Sequence, residues 1–147
     1  MIYQFIGERK IKRNIKIVNS DVVYKLVKRY AKAKQEQFIL ITLNGAHLVI
    51  SVSIISIGLV NKAIAHPREV YHKAITDGAA AIIVCHNHPS GEAEPSDDDK
   101  QVTKELYFAG EIIGIPLLDH IVFTKTGYTS LNKRKMFPDE RRSFKKR

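Results

Sequence analysis

Two histidines and an aspartate near the middle of the chain have the residue types and spacing of a metal site. His86 and His88 are separated by one residue, and Asp99 follows eleven positions after His88. In an extended chain the side chains alternate between faces, so the two imidazoles point the same way. Two imidazoles and one carboxylate leave the fourth position of a zinc ion open, and zinc lowers the pKa of water to about 7. The spacing therefore predicts a hydrolytic site with one zinc ion.

Each part of this pattern also has a purely structural interpretation. His-x-His pairs occur in ordinary loops, and Ser96 with Asp99 fits a capping box, in which the two side chains satisfy backbone amides at the start of a helix. The acidic run 97–99 also complements a helix dipole. The combination of these parts, directly after a buried strand, favours the metal site.

The elements that must position these residues follow from periodicity and turn residues. The first half is predicted to contain a helix over 21–34 with Ser20 as its N-cap, a hairpin of strands 37–43 and 46–57 around a tight Asn44-Gly45 turn, and a helix from Pro67 to about 76 stopped by Gly78. The second half is predicted to contain a strand over 79–85, a helix over 97–109 ended by Gly110, and strands over 115–124 and 128–131. This order predicts a single α/β layer domain.

The strand that delivers the histidines has a distinctive composition. Residues 79–85 are small and apolar without alternation, which is typical of a strand covered on both faces. Cys85 and Asn87 must point away from the two histidines, so Cys85 is predicted to be a core residue. Since it is the single cysteine, an internal disulfide and a thiolate-rich zinc site are excluded.

Length and composition are those of one domain. The chain has 147 residues and is 44% hydrophobic, enough for a real core. It has no apolar run of about 18 residues and no secretory signal pattern at its start, so a membrane span is not expected and the cytoplasm is the expected compartment.

The net charge of +9 raises the question of nucleic acid binding. Basic residues concentrate in 9–13, 25–34 and 133–147, whereas 92–99 is acidic. The basic termini could contact phosphates, or they could be solvated tails and a polar helix face. The lack of interleaved aromatic residues for base stacking favours solvated segments.

The site segment resembles a known family motif. His86-Asn87-His88, seven further residues, Ser96, two residues and Asp99 resemble the JAMM motif of JAB/MPN-domain metalloproteases. Residues 66–70, 86–91, 95–96 and 118–120 are similar to the RadC branch of that family. The resemblance covers 20–131 and implies a single JAB/MPN-like α/β domain, with a mixed sheet flanked by helices. The remaining segments, 1–19 and 132–147, are then a basic N-terminal extension and a basic C-terminal tail.

The resemblance also implies roles for individual residues. It implies three ligands for one zinc ion per chain: His86, His88 and Asp99. It implies that Ser96 helps to stabilise the oxyanion, and that an upstream glutamate acts as general base. Glu36 matches that glutamate by its order in the chain, and Glu69, within a predicted helix, is the rival.

Two further features bear on this resemblance. RadC-like proteins usually carry an N-terminal helix-hairpin-helix region, and the residues before Ser20 are too few for one, so a stand-alone domain is expected. DNA binding through that region is therefore not inherited. Among the other histidines, His66 is expected at a helix start, and His47 and His72 are expected to be exposed. His120 is either a partner of a metal ligand or a satisfied core histidine, and the second is favoured.

The predicted function is zinc-dependent hydrolysis of an amide or isopeptide bond in an unidentified peptide or protein. One alternative is a metal-dependent nuclease or phosphodiesterase. A single open zinc site with few carboxylates disfavours it, because phosphoryl chemistry often uses two metal ions. A second alternative is a non-catalytic nucleic-acid-binding module linked to DNA repair.

Overall fold

The computed structural model describes residues 7–10, 14–57 and 65–138. In chain order the elements are β1 (Gly7–Lys10), α1 (Ser20–Val27), a 3-10 helix (Lys28–Lys32), β2 (Gln37–Leu43), β3 (Val49–Ile57), α2 (Pro67–Thr76), β4 (Ala81–Asn87), α3 (Asp97–Ile113), β5 (Leu117–Phe123) and β6 (Tyr128–Ser130). The strands form one sheet in the order β1-β3-β2-β4-β5-β6. Strands β4 and β5 are parallel and all other neighbours are antiparallel, which confirms the predicted mixed sheet.

Helices cover both faces of this sheet. Along β2, Ile39 and Ile41 belong to the core under α1, whereas Phe38 and Leu40 belong to the core under α2 and α3. This alternation follows from the two-residue period of a strand. The predicted α/β domain with a sheet flanked by helices is confirmed.

Strand β4 leads directly to the predicted metal site. All seven of its residues are buried, as predicted for a strand covered on both faces. The predicted bounds, 79–85, were wrong, since β4 begins at Ala81 and continues through Asn87. Ile83 and Cys85 face the α1 side, and Ile82 and Val84 face α2 and α3. His86 therefore emerges on the α2 and α3 side. Cys85 is a buried core residue, as predicted.

Helix α1 differs from its predicted form at both ends. Asn19, not Ser20, is the N-cap, because the Asn19 side chain accepts a hydrogen bond from the Val22 amide (3.1 Å). Ser20 is already helical and its hydroxyl lies 3.1 Å from the Tyr128 hydroxyl. The predicted α-helix to residue 34 was wrong, since α1 ends at Val27 and a 3-10 helix follows.

The predicted tight turn between β2 and β3 also differs. The connection between β2 and β3 is longer than a two-residue turn, because the Asn44 side chain accepts from the Ala46 and Leu48 amides and β3 starts only at Val49. By contrast, α2 has the predicted bounds, and Gly78 follows it with a φ of 67°.

The predicted end of α3 at Gly110 was wrong. The helix continues to Ile113 and ends at Gly114, whose φ of 85° requires the freedom of glycine. Gly110 lies inside the helix for a different reason. A Cβ there would lie 2.6 Å from the Ile115 carbonyl oxygen and would collide with the Tyr71 hydroxyl. Both glycines look like helix ends in the sequence, and only the packing of α3 separates them.

Part of the predicted N-terminal extension belongs to the sheet. Strand β1, Gly7–Lys10, pairs with β3 at the sheet edge. The last nine residues of the predicted basic tail, 139–147, lie outside the described residues. The division into extension, domain and tail stays a prediction.

Candidate metal centre

The site forms where β4 ends and α3 begins. His86 is the penultimate residue of β4, and His88 is the first residue after the strand. The His88 amide donates to the Phe123 carbonyl (2.9 Å). This bond extends the pairing of β4 with β5 by one position. Asp99 lies in the first turn of α3. The strand fixes the imidazoles and the helix returns the carboxylate to them.

The three predicted ligands are brought together. His86 Nε2 lies 2.9 Å from His88 Nε2 and 3.0 Å from Asp99 Oδ1. His88 Nε2 lies 3.2 Å from Asp99 Oδ2. Among the described residues these three form a group whose ligand atoms all lie within 4.8 Å of one another. Such a group could hold one metal ion.

The chemistry of these donors fits zinc. Zinc–nitrogen bonds of about 2.0–2.1 Å in a tetrahedron place neighbouring ligand atoms roughly 3.3 Å apart, close to the separations observed. His88 Nδ1 lies 2.8 Å from the Glu92 carbonyl oxygen. Because a carbonyl only accepts, Nδ1 carries a proton, and in its neutral form His88 presents the lone pair of Nε2 to the group. A lone pair this close to a carboxylate requires a cation or a proton between them.

The pKa shifts of Asp99 and His88 also indicate a site that favours positive charge. Burial by itself raises the pKa of Asp99, but its hydrogen bonds with His86 and His88 hold the pKa well below the usual range. Burial lowers the pKa of His88, and the hydrogen bonds to Asp99 and the Glu92 carbonyl outweigh this, so its pKa is raised. A metal ion would compete with protons for the same position.

The capping box of the structural interpretation is present as well. The Asp99 amide donates to Ser96 Oγ (3.1 Å), and the Ser96 amide donates to Asp99 Oδ2 (2.7 Å). The two interpretations are compatible, because the cap itself orients the Asp99 carboxylate toward the histidines. The catalytic role of Ser96 stays a prediction.

A cavity of about 450 Å³ opens over the three ligands. The cavity is lined by Glu36, Ser96 and His66, by Phe38 of β2, and by several residues of α3. Glu69 does not line it and is buried on α2, with 2% of its surface exposed. Of the two candidate bases, the cavity favours Glu36.

Sequence reasoning undervalued His120. It is fully buried, as expected of a core histidine, but its Nε2 lies 2.9 Å from His86 Nδ1. Burial and the neighbouring His86 lower its pKa to about 3. The signal available was the run 118–120 in the RadC-like pattern. The other histidines are as expected, since His66 begins α2 and His47 and His72 are exposed.

Comparisons with known proteins decide the family. The model of the RadC-like JAB domain matches residues 17–136. The chain belongs to the RadC-like JAB domain family. Its fold is that of metal-dependent hydrolases, consistent with the His-His-Asp group.

Curated relatives support this membership without naming an activity. A UPF0758 protein of Methanospirillum hungatei is 50% identical over 82% of this chain and 54% of its own length. A UPF0758 protein of Symbiobacterium thermophilum is 42% identical over 83% of this chain and 53% of its own. A UPF0758 protein of Clostridium novyi is 46% identical over 69% of this chain and 44% of its own length. The chain thus spans about half the length of these RadC-like relatives.

Within the described residues, no helix has the length and apolar character needed to cross a bilayer.

Proposed function

We propose that this RadC-like JAB domain is a zinc-dependent hydrolase of the JAMM type that cleaves an amide or isopeptide bond with water. The observation that carries the proposal is the convergence of His86 Nε2, His88 Nε2 and an Asp99 carboxylate oxygen. These three groups would hold one zinc ion per chain. When bound, zinc supplies the activation of water and the polarisation of the scissile carbonyl.

Glu36 is proposed as the general base. It precedes β2 and lines the cavity over the ligands. A carboxylate there can accept a proton from the attacking water and pass it to the leaving amine. The other carboxylates among the described lining residues, Asp98, Asp99 and Glu105, all belong to α3.

Asn87 supports the placement of Glu36. It points to the opposite face from His86 and His88, and its side chain holds both neighbours of Glu36. The Gln37 amide donates to Asn87 Oδ1 (2.7 Å), and Asn87 Nδ2 donates to the Gln35 carbonyl (3.1 Å). The residue between the two histidines therefore ties the segment that carries the base to the strand that carries the ligands.

Ser96 is proposed to stabilise the oxyanion. Its hydroxyl accepts from the Asp99 amide, and the residue lines the same cavity as Glu36. A hydroxyl oxygen can accept one hydrogen bond and still donate its own proton. The cap thus leaves the Ser96 proton for a developing negative charge on the substrate.

The charge of the cavity favours a peptide over a nucleic acid. Apart from histidines, the charged side chains among the described lining residues are all acidic: Glu36, Asp98, Asp99 and Glu105. The chain has 24 lysines and arginines, yet none is among these lining residues. Nucleic acid binding depends on neutralising phosphates with such cations. The overall charge of +9 is therefore not directed into this cavity.

Hydrolysis of a peptide library by the zinc-loaded chain, followed by mass spectrometry, tests the proposal. Glu36→Gln is expected to lower turnover by about 10²–10⁴-fold while the zinc content stays at one per chain, because general-base catalysis has that size. Glu111→Gln, an exposed change on α3, is the matched control and should leave turnover unchanged.

Three outcomes would overturn parts of this proposal. Full turnover by Glu36→Gln would exclude Glu36 as the base. Cleavage of DNA with no cleavage of any peptide would establish the nuclease alternative. DNA binding that is lost on removal of residues 133–147, without any hydrolysis, would establish the binding module.

A further inference from the structure

A line of buried hydrogen bonds runs from His86 through His120, at the edge of the cavity, to helix α3. His86 Nδ1 lies 2.9 Å from His120 Nε2, and His120 Nδ1 lies 2.6 Å from Thr103 Oγ1. The Thr103 hydroxyl lies 2.8 Å from the backbone carbonyl oxygen of Asp99. His86 is 2% exposed, and Thr103 and His120 are 0% exposed. The line joins α3, β5 and β4.

The direction of every bond in this line follows from its last member. A backbone carbonyl can only accept, so Thr103 donates its proton to the Asp99 carbonyl. The Thr103 oxygen must then accept from His120, which places the His120 proton on Nδ1. A second proton on Nε2 would give a charged imidazole with no contact to water, which is costly. Nε2 of His120 is therefore an acceptor, and His86 donates to it from Nδ1.

We infer that Thr103 and His120 are positioning residues that hold His86 with its proton on Nδ1 and its Nε2 directed at Asp99. The consequence for metal binding rests on the function proposed above, but the hydrogen-bond directions do not. Because the line starts at the Asp99 backbone and ends at the His86 ring, it connects two of the three ligands. Neither Thr103 nor His120 contacts the proposed ion itself.

The tautomer of His88 is fixed more directly than that of His86. Its Nδ1 donates directly to the Glu92 carbonyl (2.8 Å), with no intermediate side chain. Metal-binding histidines usually donate their second ring nitrogen to a carboxylate, a carbonyl or water. For His86, two side chains stand between the ring and the carbonyl that fixes its tautomer.

Packing restricts the alternatives for these rings. Phe38 is stacked on His86 with ring centroids 6.3 Å apart and an interplanar angle of 7°. It meets His120 edge-on at 5.9 Å. Phe38 therefore contacts both rings of the line, and both imidazoles are buried against it.

The tautomer of His120 is the first test. Nitrogen-15 NMR of its ring should show a protonated Nδ1 and an unprotonated Nε2, both in the zinc-loaded chain and after zinc removal by a chelator. In Thr103→Val, which keeps the shape but removes the hydroxyl, this signature should be replaced by the Nε2-protonated form or a mixture. A wild-type His120 with its proton on Nε2 would overturn the inference.

Zinc affinity, measured by competition with a chromophoric chelator, is the second test. Thr103→Val and His120→Phe should weaken binding by roughly 10–100-fold, the size typical of lost partners of metal-binding histidines. Thr103→Ser keeps the hydroxyl and should bind within about threefold of wild type. Should His120→Phe fail to fold, Thr103→Val with its Ser control decides the question alone.

The outcomes separate this inference from the proposed function. Equal affinity of wild type and Thr103→Val, with an unchanged His120 tautomer, contradicts the positioning role even if the enzyme is active. A chain with the predicted tautomer that binds zinc but hydrolyses nothing retains the positioning role and loses the proposed hydrolase.

Discussion

Two polar clusters lie on the α2 and α3 side of the sheet, and they differ in what satisfies them. In the first, Asp77 accepts hydrogen bonds from Thr42 (2.7 Å), Ser51 (2.6 Å) and Lys73 (2.8 Å). Each carboxylate oxygen therefore has donors supplied by the protein itself. This closed cluster contributes to folding and has no need of a ligand.

The metal centre has the opposite character. His86 Nε2, His88 Nε2 and the Asp99 carboxylate oxygens face one another within 3.2 Å. Hydrogen bonds on their other sides orient them: Asp99 Oδ2 accepts from the Ser96 amide, His88 Nδ1 donates to the Glu92 carbonyl, and His86 Nδ1 lies against His120 Nε2. The protein orients these groups, and no lysine or arginine is among the described residues that line the cavity over them. The first cluster is satisfied within the fold, whereas the second is a group that could hold a metal ion.

The largest expected effect is on zinc binding by the candidate metal centre. His88→Ala should weaken zinc binding by more than about 100-fold, because it removes a ligand and not merely its partner. Chelator competition measures this. His72→Ala, which removes an exposed imidazole on α2, is the control and should keep wild-type affinity. Retained zinc binding in His88→Ala would show that the ion lies elsewhere.

Asp77→Asn should produce the reverse pattern. It removes the charged acceptor from a pair with Lys73 whose side chains are only 9–10% exposed, so the free energy of unfolding should fall by about 2–3 kcal/mol. Urea denaturation at pH 7 measures the loss, and zinc affinity should not change. A tenfold loss of zinc affinity would mean that the two clusters are not independent.

The contribution of the Asp77 carboxylate to stability should depend on pH. Burial raises the pKa of Asp77, but its hydrogen bonds to Lys73, Ser51 and Thr42 outweigh this and hold the pKa below its ordinary value. The stability it contributes is present above about pH 4 and is lost as the pH falls through the depressed pKa. The difference in unfolding free energy between wild type and Asp77→Asn should shrink from pH 5 to pH 3. A constant difference would contradict the shifted pKa.

Thr42→Val should have the smallest effect. It removes one neutral donor to Asp77 and leaves Ser51 and Lys73, so a loss of about 1 kcal/mol is expected from urea denaturation. Ser51→Ala is the companion variant, because it removes the other neutral donor. A loss above about 3 kcal/mol for either change would show that the cluster acts as one cooperative network.

The two clusters also differ in how far the sequence predicts them. His86, His88 and Asp99 lie within fourteen residues, and strand alternation with one helical turn suffices to bring them together. Thr42, Ser51 and Asp77 meet only through the register of β2 with β3 and the end of α2. No local pattern contains that register, so the closed cluster was not predicted.

The line behind His86 lies between these cases. His120 stood in the RadC-like pattern, but its contact with His86 depends on the parallel pairing of β4 with β5. Thr103 gave no signal, because a threonine inside a helix has many ordinary uses. Likewise, Gly110 was wrongly predicted as the end of α3, because its close packing against Tyr71 inside the helix is a long-range contact. Local chemistry was predictable, and long-range packing was not.

A zinc anomalous difference map from crystals of the zinc-loaded chain tests the central claim most directly. A single peak is predicted at about 2.0–2.2 Å from His86 Nε2, His88 Nε2 and an Asp99 carboxylate oxygen, with its fourth position facing the cavity that Glu36 lines. An Asp99 side chain turned away from the ion, or a fourth position filled by another protein group, would contradict a hydrolytic centre.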